Sequence, residues 1–145
     1  MNIRQISADK TIPIRHEVLR QGKPVESCSF TNDTQLSTFH FGAFFHSKLV
    51  GVCSVFKNEK QIEKRNFTHQ LRGMAVLQNF QQKGVGKALL NHCQLLLTAH
   101  KIFGIWCNAR TIATPFYLAH GFQVFGDEFD IPNIGKHYIL FKKYA

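Results

Sequence analysis

The sequence predicts an α/β protein built on one mixed sheet, and three observations carry that expectation. The chain has 145 residues, 44% of them apolar and 14 of them Phe, enough to bury one sizeable core. Strand-like and helix-like periodicities alternate through its second half, the pattern of a mixed α/β sheet. Its first half holds a hairpin signal, which supplies antiparallel pairing. No internal repeat, low-complexity tract or Ser/Pro-rich linker interrupts the chain, so residues 1–145 are expected to form a single domain.

The elements follow in order. "IRQIS" (3–7) alternates as a short strand does. "DKTIPIRHEVLR" (9–20) carries Ile14, Val18 and Leu19 as a helix face, beginning close to Pro13 and stopping at Gly22. "STFHFGAFFHSKLVGVCSVFKN" (37–58) reads as two strands turning near "HSK", and the polar "EKQIEKR" as a loop. "FTHQLRGMAV" (67–76) is a longer strand, bent near Gly73. A glycine loop leads to "GKALLNHCQLLLTAHK" (86–101), where Leu89, Leu90, Cys93, Leu96 and Leu97 recur at helical spacing. "FGIWCN" (103–108) is a brief buried strand. "TPFYLAHG" (114–121) is a short helix with Pro115 in its first turn and Gly121 at its end. "FQVFGDEF" and "KHYILFKKY" close the chain as strands.

Composition excludes several classes of protein. No apolar run approaches the roughly 20 residues of a membrane helix, and "MNIRQISADK" lacks the apolar stretch of a secretory signal. A cytoplasmic protein with no membrane partner is expected. The four cysteines stand singly with no C-x-x-C pair, which argues against a metal site and a disulfide framework. The formal charge of +9 favours an anionic partner. The basic residues are dispersed, however, and no basic run interleaved with aromatics suggests a nucleic-acid track.

The stretch "NFQQKGVGKALL" (79–90) carries the chemistry. A helix N-terminus presents backbone N–H groups without partners inside the helix, and its dipole adds partial positive charge. Gly84 and Gly86 remove side chains and permit backbone angles that aim consecutive N–H groups at one spot. With Lys83 and Lys87 alongside, the result is a cradle for phosphate or pyrophosphate. The Walker pattern fails, because one residue, not four, separates the glycines. The dinucleotide fingerprint fails because Leu89 stands where its third glycine belongs. On these residues alone, a glycine-rich start to a helix with no ligand remains an equal alternative.

"QQKGVGKALL" resembles the Q/R-x-x-G-x-G/A signature of the GNAT acetyltransferase superfamily, with Gln81, Gly84 and Gly86 in the signature positions. "NARTIATPFYLAHGF" (108–122) resembles a second segment of that family, matched by Ala109, Arg110, Ala113, Phe116, Tyr117, Gly121 and Phe122. The resemblance covers about residues 38–125. It implies a mostly antiparallel sheet of six or seven strands, with helices on both faces and central strands that splay apart. It also implies an acetyl-CoA-dependent N-acetyltransferase, with no metal, acting on a primary amine of a small molecule or peptide. A homodimer is compatible with it.

By resemblance, the amides of Gln82, Lys83, Gly84, Val85, Gly86 and Lys87 would hold the CoA pyrophosphate, and Gln81 would brace the loop. Met74, Ala75 and Val76 would pair with the pantetheine amides. Phe116 would adjoin the cofactor, and Asn108 would bond pantetheine or an ordered water. Tyr117 would be the general acid. The Glu that the family often places near the central strand is missing from "FTHQLRGMAV". His69, His40 and His137 are candidate bases. His137 is preferred among them, beside an ordered water chain with no single base. Two rival readings stand: a non-catalytic acyl-CoA-binding domain of the same fold, and a basic nucleic-acid-binding module.

Overall fold

A computed structural model of the chain describes residues 1–144. Seven strands and three α-helices follow one another as β1 (Asn2–Ile6), α1 (Ala8–Leu19), β2 (Phe39–Phe45), β3 (Lys48–Ile62), β4 (Arg65–Val76), α2 (Val85–Ala99), β5 (Gly104–Arg110), α3 (Thr114–Ala119), β6 (Gln123–Ile131) and β7 (Gly135–Lys143). The strands form one sheet in the order β1-β2-β3-β4-β5-β7-β6. Every neighbouring pair is antiparallel except β4 and β5.

Helices cover both faces. On one, Ile14 of α1 packs with Val52 and Ala75. On the other, Leu89, Leu90, Cys93 and Leu97 of α2 join Cys53, Val55, Leu71, Ile105, Cys107 and Leu140 in the main core. This is the apolar stripe that the spacing of α2 predicted. All four cysteines are free and buried.

Two expectations are corrected. Pro13 does not open α1 but lies inside it. The proline forgoes a bond to the Asp9 carbonyl, and both residues lie on the exposed side, where that carbonyl can be solvated. "EKQIEKR" is not a loop but the end of a long hairpin. Glu63 and Lys64 both have positive φ (52° and 67°), which makes a tight two-residue turn of the kind also seen at His46 and Ser47 (48° and 74°). Ile62 is fully buried with Phe67, Trp106 and Phe141. Trp106 Nε1 donates to the Asn58 carbonyl at 2.8 Å, anchoring this extension to β5. The polar sequence hid the strands because their outer faces are solvated.

The segment between α1 and β2 is held by a buried ion pair. Arg15, fully buried, donates to both carboxylate oxygens of Asp33 (2.7 and 3.0 Å), to Ser54 Oγ (3.1 Å) and to the Cys28 carbonyl (2.9 Å). Removing one partner would strand a charge in the core, at a cost of about 3–5 kcal/mol. The pair fixes Phe30, whose ring lies under the Arg15 guanidinium at 3.8 Å. Phe30 becomes one wall of the site.

Candidate active site

The site begins with a distortion in β4. Gly73 adopts φ +68°. Pairing jumps from Val52–Ala75 to Ser54–Arg72, so Gly73 and Met74 together face Cys53. An inserted residue of this kind bends a strand and increases its twist. β4 and β5 accordingly meet at one register pair, Gln70–Trp106, and part on the side of Met74–Val76. That stretch of β4 remains paired to β3 and turns its other backbone edge to the gap.

The chain leaves β4 through a loop that ties back to it. Gln81 Nε2 donates to the Val76 carbonyl at 3.0 Å. Gln82 and Gly84 take positive φ (60° and 83°) and steer the backbone into α2. The Ala88 amide donates to the Gly84 carbonyl at 3.0 Å, so the amides of Val85, Gly86 and Lys87 precede the first bonded turn and lack an acceptor within the helix. The two glycines serve different ends. Gly84 has open space around it and is required by its φ. Gly86 is helical, and a Cβ there would sit 2.7 Å from Phe116 Cζ; the ring needs the missing side chain.

Two hollows open from this framework. The first, a cleft of about 570 Å³, is lined by Met74, Ala75 and Val76 along β4, by the loop and α2 start from Gln81 to Lys87 apart from Lys83, and by Phe116 and Tyr117 of α3. The second, about 220 Å³, lies between Phe30, Arg72, Arg110, Ile134 and His137. They share Met74, Ala113 and Tyr117. Tyr117 therefore stands at their junction, only 7% exposed. Burial, reinforced by the buried thiols of Cys107, Cys53 and Cys93, pushes its phenol well above the usual tyrosine range. The hydroxyl carries its proton at neutral pH.

Most of the residues singled out in the sequence come together here. Lys83 stands apart from the lining, its ammonium 5.7 Å from the Phe80 ring. Asn108 lines the second hollow rather than the cleft; alternation along β5 gives it the same face as Trp106 and Arg110. His137 also lines the second hollow and is 4% exposed. Its Nδ1 lies 2.8 Å from the Gly135 carbonyl, so that nitrogen is the donor.

The other two histidines are engaged elsewhere. His40 is buried between Ser54 Oγ (2.6 Å) and the Asp33 carbonyl (2.8 Å). His69 faces Lys57 and His100 at the far end of α2, and burial, then those charges, lowers its pKa. Sequence reasoning left Arg110 without a role and did not single out Arg20, Phe30, Ile131 or Ile134 as lining residues. Apart from the motif that holds Arg110, nothing local marks these residues, because four separate segments contribute them.

A cleft and a hollow thus share Met74, Ala113 and Tyr117 where the sheet parts, and helix amides without an acceptor inside the helix lie along the cleft. The chain belongs to the acetyltransferase (GNAT) family, whose domain model matches residues 37–124, and it is an acyltransferase of the N-acetyltransferase type. It is 30% identical over 142 residues to the uncharacterized N-acetyltransferase YitI of Bacillus subtilis (strain 168), covering 98% of this chain and 95% of the relative. Its fold is similar to that of an aminoglycoside 6'-N-acetyltransferase complexed with coenzyme A, with a TM-score of 0.77, 11% identity and coverage of 99% and 97% of the two chains. It is also similar to the PaiA N-acetyltransferase of Thermoplasma acidophilum in complex with coenzyme A (TM-score 0.69, 20% identity, coverage 99% and 98%).

Proposed function

We propose that the protein, as one domain acting in the cytoplasm, moves an acetyl group from acetyl-CoA to a primary amine of a small molecule or peptide by direct attack. The observation that carries this reading is the meeting of the two hollows at Met74, Ala113 and Tyr117. Solved relatives of the same fold are described as complexes with coenzyme A. The cleft suits that molecule: free amides and Lys87 at the head of α2 match a diphosphate, and the open edge of Met74–Val76 matches an amide-bearing chain. Bound there, acetyl-CoA supplies an activated acyl carbon.

The residues then divide the work. Gly84, Val85, Gly86 and Lys87 hold the diphosphate while Gln81 keeps the loop on β4. A backbone N–H near Val76 meets the oxyanion. His137 Nε2 accepts the proton that the attacking amine sheds, directly or through water. Tyr117 donates its proton to the departing thiolate. The absence of any Asp or Glu from β4 between residues 67 and 76 favours, as a second reading, an acyl-CoA-binding domain without catalysis.

Isothermal calorimetry with coenzyme A, followed by a thiol-release assay over a panel of amines, separates the two. Binding with amine-dependent thiol release is the expected result. Binding without release leaves the non-catalytic reading standing, and absence of binding removes both.

A further inference from the structure

Resting on the transferase reading just given, the second hollow also reports the kind of amine it accepts. Three arginines line it, Arg20, Arg72 and Arg110, and no Asp or Glu does. Among the described residues none of the three forms an ion pair. The acid nearest Arg72 in influence, Asp33, already gives both its oxygens to Arg15 and accepts from the Phe30 amide at 2.8 Å. Arg72 lies instead over the Phe30 and Phe56 rings, 4.6 and 5.3 Å from their centroids. Arg110 has one long contact, from Nη2 to the Leu19 carbonyl at 3.5 Å. The Arg72 guanidinium is thus partly desolvated without a counter-charge, and Arg20 and Arg110, both part-exposed, stand beside it in the lining. That arrangement is unfavourable in the free protein and is relieved by an anion.

We propose that the hollow selects primary amines that also carry a carboxylate, with the arginines binding the carboxylate and the amine directed at the junction near Tyr117. A guanidinium presents paired N–H donors that match the two carboxylate oxygens. A purely cationic amine would meet three like charges and no acid. The volume, about 220 Å³, falls below the roughly 300 Å³ at which pockets for drug-sized ligands begin, so the occupant is of amino-acid size. Phe30, Ile131 and Ile134 give such a molecule an apolar wall.

The test compares matched amines that differ only in the carboxylate: phenylalanine with phenethylamine, and leucine with isoamylamine, with spermidine as the polycationic control. Calorimetry of coenzyme A on the same sample reports separately on the transferase reading. With that binding established, kcat/KM is expected to favour the carboxylate-bearing member of a pair by at least ~10-fold, the scale of one charge-assisted hydrogen bond. Equal use of both members, or preference for phenethylamine, isoamylamine or spermidine, overturns the inference. So does the absence of any turnover together with no carboxylate-dependent rise in melting temperature of the coenzyme A complex.

Arg72→Gln should raise KM for the carboxylate-bearing amine ~10–100-fold while leaving its decarboxylated partner and coenzyme A affinity little changed. Because Arg72 also packs on two aromatic rings, Arg20→Ala provides a second variant and should act in the same direction. Equal losses for both members of a pair in both variants would show that the arginines are merely structural.

Discussion

The cleft and the second hollow are built on opposite principles. One end of the cleft is made by a single stretch of chain, Gln81–Lys87 apart from Lys83, and its candidate donors are amides that every non-proline residue possesses. The hollow is made by residues from the end of α1, the segment after it, β4, β5, α3, the end of β6 with its turn into β7, and β7 itself. A main-chain site needs only a particular local path, which two glycines can specify. A side-chain site needs the whole fold to converge. The first is therefore insensitive to most substitutions and abolished by a few, while the second can be retuned one residue at a time.

Gly84→Val challenges this contrast most severely. Valine disfavours φ +83° strongly, at a cost of about 1–3 kcal/mol, and the loop path should change. Coenzyme A affinity is expected to fall ~100-fold or more by calorimetry, with the far-UV circular dichroism of the wild type retained. Unchanged affinity would mean that the path of the loop does not define the cleft.

Tyr117→Phe is expected to lower kcat by ~100-fold, the scale of a lost proton donor, with coenzyme A affinity altered less than twofold. Unchanged kcat would remove Tyr117 from proton transfer and leave it as packing at the junction.

Gly86→Ala should weaken coenzyme A binding by ~10-fold, because its Cβ would press on Phe116. Phe116→Leu in the same chain should recover part of the loss. Additive losses in the double variant would show that the two residues do not compete for the same space.

The smallest effect is on stability in acid. Burial, then Lys57 and His100, lowers the His69 pKa, so the unfolded chain takes up that proton first as the pH drops below about 6.5. The native state loses stability over that range. His69→Gln should reduce the fall in melting temperature between pH 7 and pH 5 relative to wild type. An identical profile would show that His69 is solvated in the folded chain.

Legibility in the sequence followed the same division. The His46–Ser47 hairpin, the bend at Gly73, the helical stripe of α2 and the short helix around Pro115 were all readable, since each rests on local periodicity or on residues with special backbone preferences. The strands at 59–65 were missed because charged outer faces masked Ile62, which only distant Phe67, Trp106 and Phe141 reveal as core. Pro13 misplaced the start of α1 because sequence alone cannot show that the Asp9 carbonyl lies on the solvated side. Gly86 read as space for an anion, whereas its neighbour is Phe116, 30 positions along the chain.

What the linear order of residues settled was the alternation of strands and helices and the glycine-bearing turn at the head of α2, because backbone preferences act within a few positions. Folding alone decided the parting of β4 from β5, the burial of Tyr117 where two hollows touch, and the gathering of Arg20, Arg72 and Arg110 around one of them. These arrangements depend on which distant side chains share a volume, and that is governed by packing rather than by neighbours along the chain.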